Sequence, residues 1–236
     1  MRKLFSLLTI AALALVAAPT VADDDFQSRI RAFHASPAPT PAVDVLAGGG
    51  ILIDNLSFGN ASDYEHVPAN IYDIDIVETG TTSPSFFSAA VSLFYSTTYT
   101  VVATDGASGL EPIILIDDNS KVDDDAVRVR FFHGSQDTDP VSVRALGGPV
   151  WVDSLAYQSV SEYITVPEGL YDLEVSIIGT STAVVVPADL PGGSVVTVFA
   201  IGLLGDGSLD FVPTVDASFD DDRPGRGDDD DDDDDD

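Results

Sequence analysis

The chain contains a tandem duplication, and this repeat constrains the fold more than any other feature of the sequence. When residues 29–76 are aligned without gaps against residues 128–175, 16 of the 48 positions are identical. The identical pairs include Arg29/Arg128, Arg31/Arg130, Phe33/Phe132, His34/His133, Ser36/Ser135, Tyr64/Tyr163, Pro68/Pro167 and Tyr72/Tyr171. Identity at a fixed offset is typical of a duplicated structural unit. The sequence therefore predicts two similar domains, over residues 26–119 and 126–216.

The segment between the two repeats is short and acidic. Residues 117–125 read DDNSKVDDD, in which Val122 is the one apolar residue. We interpret residues 120–125 as a solvated linker, and we expect each repeat to fold alone because each contains a full set of strands. Repulsion between the acidic halves would favour an extended arrangement at low salt.

Within each repeat, apolar residues alternate with polar ones at a period of two, which is typical of β-strands. In RIRAFH, Ile30, Ala32 and His34 share one face, and RVRFFH from Arg128 repeats the alternation. Further apolar runs in the first repeat are AVDVLA, ILIDNL, IYDIDIV, FFSAAVSLFY, YTVVA and EPIILI. About seven short strands per repeat predict an all-β fold of two tandem immunoglobulin-like antiparallel β-sandwich domains, with a small barrel as the alternative.

Two segments of the first repeat, RIRAFHASPAPTPAVDVLAGGG and LSFGNASDYEHVPANIYDIDI, resemble the family called domain of unknown function 4397, DUF4397. The second repeat is similar to the same family through VPEGLY, although Ser135-Gln136 replaces the Ser-Pro pair of the motif. Asn70 stands where the family has glycine. The resemblance implies a β-sandwich fold and an exported bacterial protein. It implies no catalytic residue and no ligand.

The first 22 residues have the pattern of a secretory signal peptide. Arg2 and Lys3 precede an apolar run over residues 4–18, and small residues end at Ala22. We expect cleavage after Ala22 and export to the periplasm, the cell surface or the medium, with no transmembrane segment left. The chain has no cysteine, so an exported protein of this sequence relies on its core instead of disulfides.

The composition is strongly acidic, with 40 acidic and 10 basic residues and a net charge of −30. Nucleic acid is therefore excluded as a partner, because phosphate binding needs clustered Lys and Arg. We interpret residues 217–236 as a disordered tail that gathers divalent cations such as calcium, or a basic surface or polymer. The predicted cation ligands are Asp228, Asp229, Asp230, Asp231, Asp232, Asp233, Asp234, Asp235 and Asp236. Adaptation to a saline habitat is an alternative reason for the acidity, and no cofactor is required.

Two histidine–serine groups are the candidates for nucleophilic catalysis. His34 lies two residues before Ser36, and His133 lies two residues before Ser135 and four before Asp137. A hydrolase would need the histidine to take the proton of the serine hydroxyl and a third group to orient the histidine. The first repeat has alanine at the position of Asp137, so we favour a structural role. The preferred function is a non-catalytic spacer or binding module, and a secreted hydrolase using His133 and Ser135 is the alternative.

The remaining candidates are ionic. The repeated pairs Arg29/Arg31 and Arg128/Arg130 could form an anion-binding strip, but pairing with nearby carboxylates is the preferred interpretation. Aspartates also cluster at the predicted domain borders, at positions 23–25, 117–118, 123–125 and 220–222. Such clusters could hold an ordered calcium ion, since calcium binds carboxylate and carbonyl oxygens.

Overall fold

The structure, a computed structural model, describes residues 27–37, 42–106, 109–138 and 140–219. This part of the chain forms strands and no helix. The strands of the first repeat are β1 (Gln27–His34), β2 (Ala42–Ala47), β3 (Gly50–Ser57), β4 (Glu65–Pro68), β5 (Ile71–Glu78), β6 (Ser85–Ser92), β7 (Thr98–Gly106) and β8 (Gly109–Asp117). Those of the second are β9 (Ala126–His133), β10 (Val141–Ala145), β11 (Val150–Leu155), β12 (Ser159–Val160), β13 (Ile164–Pro167), β14 (Gly169–Ile177), β15 (Ala183–Leu190), β16 (Ser194–Ile201) and β17 (Asp210–Ser218).

The strands form four sheets, and each sheet takes its strands from one repeat. In the first repeat, sheet A has the order β4-β1-β7-β8 and sheet B the order β3-β2-β5-β6. In the second, sheet C has the order β12-β9-β16-β17, with β13 also paired to β9, and sheet D the order β11-β10-β14-β15. The predicted all-β class of two tandem sandwiches is confirmed.

Each sandwich has an apolar core between its two sheets. In the first, Ala32 on β1 and Leu110 on β8 pack against residues of sheet B such as Val45 and Ile74. In the second, Val129 and Phe131 on β9 pack against residues of sheet D such as Leu173. The predicted strands of the first repeat all occur, because alternating apolar residues bury one face of each strand.

Three details differ from the sequence-based expectation. The pairing is antiparallel except that β1 pairs with β7, and β9 with β16, in parallel. Strand β17 continues to Ser218, two residues into the predicted tail, because Ala217 and Ser218 pair with β16. Asp117, in the acidic segment between the repeats, is buried at the end of β8, and Val122 of the predicted solvated linker is buried as well.

A third apolar cluster lies between the repeats, where sheet A faces sheet C. Its buried members are Phe33, Ala35, Val102, Leu115, Phe132, Phe199 and Ile201, which come from both repeats. The rings of Phe33 and Phe199 stack with centroids 3.8 Å apart. The two sandwiches therefore share an apolar interface, in contrast to the extended arrangement that charge repulsion is expected to favour at low salt.

Candidate functional site

Buried ion pairs cross the interface between the repeats. Arg31 on β1 donates from Nη2 to Oδ1 of Asp216 on β17, and both side chains are almost fully buried. The Nε of Arg31 donates to Oγ1 of Thr100 at 2.9 Å. The guanidinium is thus held by its own repeat and by the carboxylate of the other repeat.

The second repeat makes the reciprocal arrangement. Arg130 on β9 donates from Nη2 to Oδ1 of Asp117 on β8, and from Nε to Oγ1 of Thr197 at 2.9 Å. Arg130 also donates to the carbonyl of Ile116 at 3.0 Å. Each repeat therefore supplies one arginine and one aspartate, so the interface has approximate two-fold symmetry.

A tyrosine covers each buried arginine. The guanidinium of Arg31 lies 4.7 Å from the ring centroid of Tyr64, and that of Arg130 lies 4.6 Å from the ring centroid of Tyr163. The hydroxyl of Tyr64 donates to Oδ2 of Asp117 at 2.8 Å. Desolvation by burial raises the pKa of both tyrosines well above the ordinary value. They remain neutral at physiological pH.

Burial is also the main influence on one of the two aspartates. Desolvation raises the pKa of Asp216, although the charge of Arg31 and the hydroxyl of Thr197 oppose this shift. Thr197 donates to Oδ2 of Asp216 at 2.5 Å. The carboxylate of Asp216 is thus engaged by Arg31 and Thr197 within the interface.

Hydrogen bonds close one end of the interface. The hydroxyl of Tyr157 donates to the carbonyl of Asp105 at 2.6 Å, and Nε2 of Gln158 donates to Oγ1 of Thr104 at 2.9 Å. Burial raises the pKa of Tyr157 to about 12, so this donor keeps its proton in ordinary buffers. The two repeats are joined by apolar, ionic and polar contacts together.

The preferred interpretation of pairing with carboxylates holds for three of the four arginines, whereas Arg29 donates to Oγ1 of Thr98 at 3.4 Å from Nε and 3.3 Å from Nη2. Arg31 and Arg130 pair across the repeats, and Arg128 pairs with Asp118 at 3.1 Å. The sequence reasoning missed their partners Asp117 and Asp216. The signal was present, because these two aspartates are also 99 positions apart.

In both histidine–serine groups, the described serine hydroxyl donates to a carboxylate. The hydroxyl of Ser135 donates to Oδ1 of Asp137 at 3.1 Å, and the hydroxyl Oγ1 of Thr138 forms a hydrogen bond with the ring Nε2 of His133 at 3.0 Å. In the first repeat, the hydroxyl of Ser36 donates to Asp105. Each serine therefore binds a carboxylate, and the sequence expectation of a structural role agrees with these contacts.

Asp137 has a structural role that its backbone partners explain. Its carboxylate accepts hydrogen bonds from the backbone N–H groups of Leu204 at 2.9 Å and Gly205 at 2.7 Å. Burial alone would raise the pKa of Asp137, but these N–H donors and Ser135 lower it below the ordinary value. Asp137 thus ties the loop after β9 to the loop after β16.

The aspartates at the domain borders do not gather into a cation site where the structure describes them. Asp117 is used by Arg130, and Asp118 accepts hydrogen bonds from Ser120 and pairs with Arg128. Within the described ranges, no group of three or more His, Cys, Asp or Glu side chains could hold a metal ion. The predicted cation ligands Asp228 to Asp236, and the aspartates at 23–25 and 220–222, lie outside the described residues.

The fold defines a protein of two tandem β-sandwiches joined face to face. The family described as "Domain of unknown function (DUF4397)" matches residues 28–144 and 145–226. The chain therefore belongs to the DUF4397 family, as its sequence motifs indicate. The family description assigns no activity.

No curated protein matches the chain. Among solved structures, the chain is similar to one titled "The Bacillus anthracis TIE protein", with 9% identity and a TM-score of 0.25. The match covers 75% of this chain and 34% of that one, so the chain spans about a third of the length of that protein. In the described part of the chain, no helix is long and apolar enough to cross a membrane.

Proposed function

We propose that this protein is an exported, non-catalytic spacer or binding module whose two sandwiches act as one rigid body. In this proposal it works at the cell surface or in the surrounding medium. The observation that carries the proposal is the interface between sheets A and C. Apolar contacts and reciprocal buried ion pairs of this kind oppose movement of one repeat against the other, since opening the interface would leave charges unpaired in an apolar setting.

Rigidity can be tested by measuring distances between the repeats with paired spin labels. The chain has no native cysteine, so Ser88→Cys on β6 and Ser181→Cys after β14 would be the labelling sites, both in exposed positions. The proposal expects one narrow distance distribution that stays unchanged from low salt to molar salt. A broad distribution, or one that lengthens at low salt, would contradict a rigid spacer.

The proposal assigns cation association to the nine aspartates from Asp228 to Asp236. Adjacent carboxylates repel one another, and condensed divalent ions reduce that repulsion without a shaped site. Calcium titration by calorimetry should show weak uptake at many sites, and this uptake should fall sharply in a chain truncated after Phe219. Equal uptake by both chains would remove this part of the proposal while leaving the spacer role untouched.

The contacts of His133 and Ser135 do not favour a hydrolytic role for either residue. Measuring hydrolysis by the parent chain and by variants at these two positions distinguishes a hydrolase from the proposed non-catalytic module. If any ester or peptide hydrolysis is found, His133→Gln and Ser135→Ala should leave its rate unchanged. Loss of that activity in both variants, with folding retained, would support the enzyme instead.

A further inference from the structure

The first sandwich contains an apolar cavity that the second sandwich fills with its own side chains. The cavity has a volume of about 270 Å³ and lies between sheets A and B, whereas the corresponding space in the second repeat measures about 30 Å³. Most of the residues that line the larger cavity are apolar, among them Ala32, Ile53, Ile74, Ala89 and Pro112. The difference matters because the two repeats have the same topology.

Side-chain size at equivalent positions explains the difference. Ala32 pairs with Val101 on β7 and corresponds to Phe131, which pairs with Val198 on β16. The ring of Phe131 lies inside the second sandwich, in the space that remains open beside Ala32. The second repeat therefore shows that this fold can hold an aromatic ring in the space equivalent to the cavity beside Ala32.

At two further pairs of equivalent positions, the second repeat also has the larger side chain. Ala89, which pairs with Ile74, corresponds to Val186, which pairs with Leu173. Pro112, which pairs with Ala103, corresponds to Phe211, which pairs with Ala200. The fold thus tolerates larger residues at these positions, and the cavity of the first repeat is not required by the architecture.

The cavity reaches the surface between two edge strands. Its mouth lies between β6 and β8, where Phe87 and Val91 are half-buried and Ile114 is 44% exposed. Two charged residues, Arg31 and Glu111, also line the cavity, and both have polar partners. Arg31 pairs with Asp216, and the carboxylate of Glu111 accepts a hydrogen bond from Gln158 at 3.4 Å. Apart from these two residues, the wall presented to an entering molecule is formed by apolar side chains.

We propose that the first sandwich binds a small, uncharged, apolar molecule with a benzene-sized ring, which enters between β6 and β8. An apolar cavity of about 150 Å³ is already sufficient to bind benzene in another protein, so this one has room for a ring with substituents. An anionic ligand is disfavoured, because the chain carries a net charge of −30 and no buried cation near the cavity is left without its carboxylate. The proposed site goes beyond the spacer role and does not depend on it.

The test is a titration of the full chain with benzene, followed by methyl NMR. Saturable shifts are expected for the methyl groups of Ile53, Ile74 and Ile114, and benzoate should bind more weakly than benzene. The Ala32→Phe variant copies the second repeat and should weaken benzene binding by about tenfold or more, since the added ring occupies the site. Ser88→Phe, on the exposed side of β6, is the matched control and should leave binding unchanged.

Two further variants keep the proposal falsifiable if Ala32→Phe does not fold. Ala89→Val introduces the residue of the second repeat and should weaken binding by a smaller factor, whereas Phe131→Ala should create new saturable shifts at Leu173 and Val198. The proposal is overturned if benzene near its solubility limit produces no saturable shift at the three isoleucines. It is also overturned if folded Ala32→Phe or Ala89→Val binds benzene as tightly as the parent chain.

Discussion

Asp44 shows at the scale of one residue how a buried carboxylate can organise backbone. Its side chain is 1% exposed on β2, and its Oδ1 and Oδ2 accept the backbone N–H groups of Asn55 at 2.8 Å and Gly80 at 2.9 Å. Both donors have positive φ, 52° at Asn55 and 79° at Gly80, so Asp44 holds two tight bends in place. Burial alone would raise the pKa of Asp44, but the two N–H donors lower it below the ordinary value of 3.8.

Replacing Asp44 by alanine should therefore destabilise the fold in a pH-dependent way. At pH 7, we expect the free energy of unfolding to fall by about 2 kcal/mol, because two backbone donors lose their acceptor. The ionised carboxylate stabilises the fold above pH 3.8, and this contribution is lost as the pH falls through the lower pKa of the folded state. Denaturant unfolding from pH 7 to pH 3 should show the two chains converging. Asp63→Ala, at an exposed position, serves as the control, and a constant difference across this range would contradict the assignment.

Strand β1 shows at the scale of an element why the arginine motif recurs. Ile30 and Ala32 point into the first sandwich, whereas Arg31 and Phe33 point toward the second repeat. Strand β9 repeats the pattern, with Val129 and Phe131 inside and Arg130 and Phe132 at the interface. A strand buried on both faces can unite two sandwiches, because its two sets of side chains pack against different sheets.

Substitutions on the two faces of β1 should differ in whether they perturb the second repeat. Phe33→Ala removes a fully buried ring stacked on Phe199 and should cost about 3–5 kcal/mol, with amide shifts changing in β16 of the second repeat. Ile30→Ala should cost about 2–5 kcal/mol but leave the amide shifts of β16 close to those of the parent. Amide NMR with denaturant unfolding measures both effects. Equal perturbation of β16 by both variants would argue against separate faces.

The whole molecule depends on an interface made of equivalent residues from each repeat. Asp117 accepts from Arg130 and Asp216 accepts from Arg31, and all four side chains are shielded from water. Such pairs are not evidence of large net stability, since the cost of removing charges from water offsets their attraction. Their consequence is specificity, because any other arrangement of the sandwiches leaves these charges without partners.

Removing the carboxylate of Asp216 should show how strongly the fold depends on the interface ion pairs. Asp216→Ala leaves Arg31 buried without its acid partner and should lower the free energy of unfolding by about 3–5 kcal/mol. The double variant Arg31→Ala with Asp216→Ala should be more stable than that single variant, since it leaves no unpaired charge there. Calorimetric or denaturant unfolding is the measurement, with exposed Asp189→Ala as the control. A single variant as stable as the control would show that the pair is not needed.

Separating the repeats should produce self-association. A fragment ending before Asp123 would expose Phe33 and Leu115, but it would also carry both Arg31 and Asp117, the two ionic halves of the interface. Two copies of this fragment can therefore reproduce the two-fold contact. Sedimentation should detect a concentration-dependent dimer, and Asp117→Ala in the fragment should weaken it. A stable monomer at all concentrations would support the independent folding expected from the polar linker.

The amino-acid sequence by itself determined the number of repeats, the strand pattern and the apolar face of each strand. The offset of 99 residues relates Arg31 to Arg130 and Asp117 to Asp216, and the period of two places Arg31 and Phe33 on one face of β1. These features are visible because repetition and alternation are local patterns along the chain.

Only the tertiary structure decided what covers those faces. Alternation tells which side chains point the same way, but Phe33 could have faced solvent, another chain or the second repeat. The answer depends on the packing of sheet A against sheet C, a contact between residues as far apart as Arg31 and Asp216. The cavity beside Ala32 has the same origin, since the volume left between two sheets depends on side chains from several distant strands at once.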